Sequence, residues 1–156
     1  MSTEAESTEL FLESLTELAH RRGPAVEQPN AHAVARNPLC GDQVAVALRI
    51  ADAQIAALAF DVRGCLLCEA AAGALRQHGV GRRLDDLEQA ERFLLDTAQG
   101  DVVAVPADWS TLAVFAPLQS FPGRLKCVLL PLQALRLAFA RQSPDADDSG
   151  APIRPW

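Results

Sequence analysis

The stretch Val44-Ala45-Val46-Ala47-Leu48-Arg49-Ile50 carries a large aliphatic side chain at every second position, with alanine or arginine between them. This alternation is typical of a strand with one buried face. A second alternating run, Leu58, Phe60 and Val62, begins a few residues later. Two such strands joined by a short loop predict an antiparallel hairpin. A lone hairpin is only marginally stable, so the segment 32–36 is a candidate third strand.

Helical patterns surround the hairpin on both sides. Apolar residues recur at helical spacing before it, and alanine- and leucine-rich segments follow it. The predicted helices cover residues 10–18, 65–77, 84–98, 108–116 and about 122–142. Together with the strands, they predict an α+β domain with a small antiparallel sheet of about three strands.

Length and composition limit the classes of protein that fit. A chain of 156 residues with 49% apolar residues can bury the core of one domain, which we assign to residues 10–142. Residues 1–9 are polar and acidic, and residues 143–156 are rich in Pro, Asp, Gly and Ser, so both segments are expected to be disordered.

The charge and the hydrophobic pattern of the sequence limit its partners and its cellular location. A net charge of −6 argues against nucleic acid as a partner. We find no apolar run long enough to span a membrane and no hydrophobic segment of the signal-peptide type, so the expected location is the cytoplasm. In that compartment, four cysteines indicate metal or sulfur chemistry more than disulfides.

Three of these cysteines and one carboxylate form a candidate metal-binding set. Cys40 and Asp42 precede the first strand of the hairpin and Cys65 follows the second, so antiparallel pairing brings them to one end of the sheet. Cys127 lies near the start of the last helix, where the helix dipole favours a thiolate. Three thiolates and one carboxylate suit tetrahedral Zn²⁺. The alternative is that each cysteine is a small buried hydrophobe and Asp42 a turn residue.

Three short motifs within residues 10–142 resemble those of the NifU/IscU/SufU-like iron–sulfur cluster assembly family. They are Asn37-Pro38-Leu39-Cys40-Gly41-Asp42, Phe60-Asp61-Val62-Arg63-Gly64-Cys65 and Arg124-Leu125-Lys126-Cys127. The resemblance implies a small antiparallel sheet with helices packed on one face. Two features are closer to the SufU-type branch of zinc-dependent sulfur transfer. One is the long segment between Cys65 and Cys127, and the other is Lys126, where scaffold members of the IscU type have histidine.

By this resemblance Cys40, Asp42, Cys65 and Cys127 are zinc ligands. Cys40 is then the acceptor of persulfide sulfur from a SufS-like cysteine desulfurase, with downstream iron–sulfur assembly proteins as further partners. The chain would act as a zinc-dependent sulfurtransferase. Two alternatives stay open: a scaffold that assembles and passes on a labile [2Fe–2S] cluster on the same residues, and a structural zinc domain that binds a partner.

Cys68 departs from the family pattern, which usually has serine at this position. On a helix, Cys65 and Cys68 lie one turn apart on one face, a spacing that resembles a redox pair. Cys68 is therefore either a buried small residue or a spare thiol near the metal. The three histidines of the chain, His20, His32 and His78, are predicted to lie on the surface or in loops.

Overall fold

The computed structural model describes residues 3–20, 25–101 and 103–142. The described chain contains three strands, four α-helices and a long 3₁₀ segment, which confirms the predicted α+β class. In chain order the elements are α1 (Thr3–His20), β1 (Ala31–Arg36), β2 (Gln43–Ala51), β3 (Gln54–Arg63), α2 (Leu66–His78), α3 (Leu84–Ala98), the 3₁₀ segment (Ala107–Ser120), a 3₁₀ turn (Pro122–Arg124) and α4 (Leu125–Arg141).

The sheet has the order β1-β2-β3, and both pairs of strands are antiparallel. Val46 faces Ala33 on one side and Phe60 on the other, so the predicted hairpin and the candidate third strand are both confirmed. Asp52 and Ala53 join β2 to β3 with φ angles of 54° and 62°. Two successive positive φ angles belong to the tight turns that match the twist of a hairpin.

The helices cover the face of the sheet that carries the large aliphatic side chains of β2. α4 packs on β1 and β2, and α2 packs on β3. In a further layer, α1 packs on α2 and α3 packs on α4. The alternating residues of β2 that the sequence marked as apolar are all buried in this core. None of the described helices is long and apolar enough to cross a membrane.

Helix α1 begins earlier than predicted. Residues 3–9, which were expected to be disordered, are helical. The segment Thr3–His20 contains neither glycine nor proline, so no residue within it interrupts the helix. The predicted tail 143–156 lies outside the described residues, and the domain boundaries at 10 and 142 stay predictions.

Helices α1 and α2 approach each other closely at Gly73. A Cβ atom built on Gly73 would lie 2.0 Å from the carbonyl oxygen of Leu18 on α1. No side chain fits in that space, so glycine allows the two backbones to touch. Leu15 and Leu18 fill the rest of this contact and are almost fully buried.

The short helix predicted at 108–116 is a 3₁₀ segment that continues to Ser120, past the proline expected to end it. Its buried side chains recur at every third residue, which is the period of a 3₁₀ helix. They are Trp109, Leu112, Phe115 and Leu118. The prediction that Trp109 and Phe115 belong to the core is confirmed, since both are fully buried.

Contacts with α2, with α3 and with the loop between them hold the 3₁₀ segment in place. The indole Nε1–H of Trp109 donates to the carbonyl oxygen of Asp86 at 2.9 Å, and Arg82 pairs with Asp108 at 3.1 Å. His78, predicted to be a surface or loop residue, is the last residue of α2, and its Nε2 lies 2.5 Å from Oγ1 of Thr111. This histidine is part of the packing between elements.

Candidate metal centre

The loop between β1 and β2 places Cys40 and Asp42 in opposite environments. Asn37 organises the loop: its side-chain Oδ1 accepts from the Leu39 N–H at 3.1 Å, and its carbonyl oxygen accepts from the Gly41 N–H at 2.8 Å. Gly41 has φ +78°, a backbone conformation that side chains disfavour. As a result Cys40 is exposed, whereas Asp42 is buried.

The carboxylate of Asp42 is buried without a hydrogen-bond partner. Among the described residues, its Oδ2 atom is the one buried side-chain oxygen or nitrogen that makes no hydrogen bond. The Gly64 backbone leaves room for it, because a Cβ atom there would lie 3.0 Å from Cγ and 3.2 Å from Oδ2 of Asp42. An unpaired buried carboxylate is costly, so this position favours a cation.

Cys65 and Cys127 each lie at the start of a helix. Cys65 is the N-cap residue of α2, and its side chain makes no capping hydrogen bond. Cys127 lies in the first turn of α4 and is buried. Cys65 is among the groups that raise the pKa of the Cys127 thiol, so the two side chains are neighbours. The predicted location of both thiols at helix N-termini is confirmed.

One ligand atom from each of Cys40, Asp42 and Cys127 lies within 4.8 Å of the other two. Cys65 is not in this mutually close group, but it lies near enough to Cys127 to raise the pKa of that thiol. Tetrahedral zinc with Zn–S bonds of ~2.3 Å holds neighbouring sulfurs roughly 3.8 Å apart. The donor types and spacing therefore fit a zinc ion after small side-chain movements. No described histidine belongs to the group.

The two buried thiols, Cys127 and Cys68, are held in their neutral form. Burial, followed by the neighbouring Cys65, Asp42 and Cys40, raises the pKa of Cys127 to about 12. Burial also raises the pKa of Cys68, and Asp42 is the next largest cause. A bound cation would reverse this effect, because metal binding stabilises the deprotonated thiolate.

We expect the metal-free protein to lose stability above about pH 9. The folded chain holds the Cys127 proton more tightly than the unfolded chain, whose thiol pKa is about 8.5. This contribution is therefore complete below about pH 8.5 and is lost as the pH rises toward 12. The chain has no tyrosine and one lysine, and Cys68, whose pKa burial also raises, adds a loss of the same sign in this range.

Urea unfolding of chelator-treated protein between pH 7 and pH 11 measures this loss. Cys127→Ala is the matched variant, and its free energy of unfolding should fall less steeply with pH than that of the natural chain. Identical slopes for the two proteins would show that Cys127 has an ordinary pKa.

Cys68 is fully buried and belongs to the hydrophobic core under the sheet. Its location matches the expectation of a buried small residue, while the influence of Asp42 and the other cysteines on its pKa places it near the site as well. Asn37 and Gly64 stand in the quoted motifs, but sequence reasoning gave neither residue a role in the site. The pair Asn37-Pro38 at a strand end was the available signal, since asparagine side chains commonly organise turns.

The four candidate ligands lie within a region that matches a known protein family. Residues 17–127 match the family described as the NifU-like N terminal domain. The chain is 24% identical over 106 residues to the zinc-dependent sulfurtransferase SufU of Bacillus subtilis (strain 168), covering 68% of this chain and 72% of SufU. It is 22% identical over 112 residues to the iron–sulfur cluster assembly scaffold protein IscU of Thermotoga maritima, covering 69% and 75% of the two chains.

A solved structure shares the fold. The N-terminal part of a nitrogen-fixing NifU-like protein from Brucella abortus superposes with a TM-score of 0.75 at 22% identity. The superposition covers 82% of this chain and 90% of the other. The three-stranded sheet and its helical cover are therefore an arrangement found in NifU-like proteins.

Proposed function

Because this chain belongs to the NifU-like N-terminal domain family, with SufU and IscU proteins among its relatives, we propose that it accepts persulfide sulfur on Cys40 at a zinc site. The proposed ligands are Cys40, Asp42, Cys65 and Cys127. The donor would be a SufS-like cysteine desulfurase in the cytoplasm, and downstream iron–sulfur assembly proteins would receive the sulfur.

The observation that carries this proposal is the buried, unpartnered Asp42 carboxylate beside the thiols of Cys40 and Cys127. The carboxylate has no hydrogen-bond donor, and two thiols lie beside it. These three groups are potential metal ligands that lack a cation. A divalent ion would satisfy the oxygen and lower the thiol pKa values together. When bound, zinc would hold the thiols as thiolates at neutral pH.

The exposure of the thiols supports Cys40 as the acceptor. Cys40 is exposed, Cys65 is half-buried, and Cys68 and Cys127 are buried, so Cys40 is the sulfur that a partner can reach. In the transfer step the Cys40 thiolate attacks the terminal sulfur of a persulfide on the donor cysteine. A new S–S bond forms on Cys40 as the donor S–S bond breaks, and the donor cysteine leaves as a thiolate. Asp42 and Cys127 stay in the fold and keep the site assembled.

The second candidate function is a scaffold for a labile [2Fe–2S] cluster. The relationship to IscU of Thermotoga maritima supports it, and thiolates suit iron–sulfur clusters as well as zinc. Asp42 in place of a fourth thiolate would make such a cluster easier to release. The arrangement of ligands is the same in both proposals, so the metal itself must separate them.

Elemental analysis of protein purified without chelator is the deciding measurement. We expect one zinc per chain and a colourless solution, with zinc lost from an Asp42→Ala variant that still folds. Iron with inorganic sulfide and a brown colour would favour the scaffold. A folded protein without any metal would contradict both proposals. Cys40→Ser then separates sulfur transfer from a structural zinc domain. If the chain transfers sulfur, this variant loses activity while its fold stays intact.

A further inference from the structure

Two large apolar side chains stand in solvent beside Cys40. Leu39 is 79% exposed, the largest fraction among the exposed large hydrophobic residues of the described chain, and Phe121 is 53% exposed. Leu39 precedes Cys40 in the β1–β2 loop, and Phe121 precedes the 3₁₀ turn that leads into α4. Both line one cleft of about 370 Å³ with Cys40. Leaving apolar surface in water at a reactive thiol is unfavourable unless a partner covers it.

Two cations line the same cleft. Arg124 and Lys126 are both exposed, and neither side chain makes an ion pair or hydrogen bond within the ranges that the structure describes. Lys126 is the sole lysine of a chain whose net charge is −6. A positive rim favours an acidic partner surface and repels the same rim of a further copy, which disfavours a symmetric contact through this face.

We propose that this cleft is a docking surface for an acidic, apolar-tipped segment of the protein that donates sulfur to Cys40. Leu39 and Phe121 would cover the apolar tip, and Arg124 and Lys126 would pair with carboxylates beside it. This inference rests on the proposed function, since it names the chemistry of the partner that reaches Cys40. We call the four residues the docking rim.

The shape of the cleft agrees with a protein segment as the occupant. Its volume of about 370 Å³ has room for one or two side chains. It is also open along the side that exposes Leu39 and Cys40. A loop inserting one or two side chains fits such a site, and a few well-placed apolar and arginine contacts supply most of the binding energy in an interface.

The test measures binding of a SufS-type cysteine desulfurase from the same organism to the zinc-loaded chain by calorimetry. Leu39→Ser with Phe121→Ser should raise Kd at least about tenfold, and so should Arg124→Glu with Lys126→Glu. The charge reversal should also remove the weakening of binding by salt. The matched control combines Val80→Ser with Arg92→Glu, two exposed positions outside the cleft, and should leave Kd unchanged.

Two further readouts separate this proposal from the proposed function. Zinc content should be the same in all variants, and transfer from a low-molecular-weight persulfide to Cys40 should not change, since neither needs docking. Docking-rim variants that bind the desulfurase within twofold of the natural chain would overturn the proposal, and so would a natural chain that does not bind it. Absence of zinc, or failure to accept sulfur from the small persulfide, would instead count against the proposed function.

Discussion

Replacing Cys40 with alanine should abolish sulfur acceptance, by at least about a thousandfold, while the protein stays folded. Cys40 is exposed and outside the hydrophobic core, so its side chain contributes little packing. Its thiolate is the proposed nucleophile, and no other exposed cysteine exists among the described residues. The measurement is the labelling of the chain by persulfide sulfur from a cysteine desulfurase, with circular dichroism to verify the fold.

Cys68→Ala is the matched control for this experiment. It removes a thiol near the same site, but one that is fully buried, and alanine fits a helix face already rich in alanine. This variant should accept sulfur normally and keep its zinc. If Cys68→Ala is inactive and Cys40→Ala is active, the roles assigned to the two thiols are wrong.

The second large effect is on stability: Gly73→Ala should lower the free energy of unfolding by about 3 kcal/mol. The added methyl group would meet the Leu18 carbonyl oxygen at 2.0 Å, so α1 must move away from α2. Helix propensity alone predicts the opposite sign, because alanine is about 1 kcal/mol better than glycine within a helix. Urea unfolding of the zinc-loaded protein measures the difference.

Gly123→Ala is the corresponding control, since no atom lies within 4 Å of a Cβ built there. It should change stability by less than about 0.5 kcal/mol. A stable Gly73→Ala protein would mean that α1 can separate from α2 without loss, and that the contact contributes little to folding. Loss of stability in both variants would point to a general effect of the substitution.

The sequence predicted the sheet well because its signals are local and strong. Alternation in β2 and β3, with one short turn between them, leaves few other pairings, and the register then fixes which end of the sheet carries Cys40 and Cys65. The family resemblance, now shown, came from three short motifs, two at this end of the sheet and one at the start of α4. The predicted set of four ligands stays a proposal, but the structure places three of them within 4.8 Å of one another.

Other features depend on contacts that no local pattern displays. The period of three in the 3₁₀ segment was present in the sequence, but its meaning depends on partners such as Asp86 and His78 that are distant along the chain. The close approach at Gly73 requires the position of α1, and the unpaired Asp42 carboxylate requires knowledge of every neighbour. These are properties of the assembled fold.

The contrast in exposure among the four cysteines also has a consequence for chemical damage. Oxidants and electrophiles act on accessible thiolates, so Cys40 would be attacked while Cys68 and Cys127 are shielded. If Cys40 accepts sulfur as proposed, oxidation of its sulfur would stop function first. That oxidation would not unfold the chain. Protection of this protein in a cell would then depend on keeping one sulfur covered or reduced.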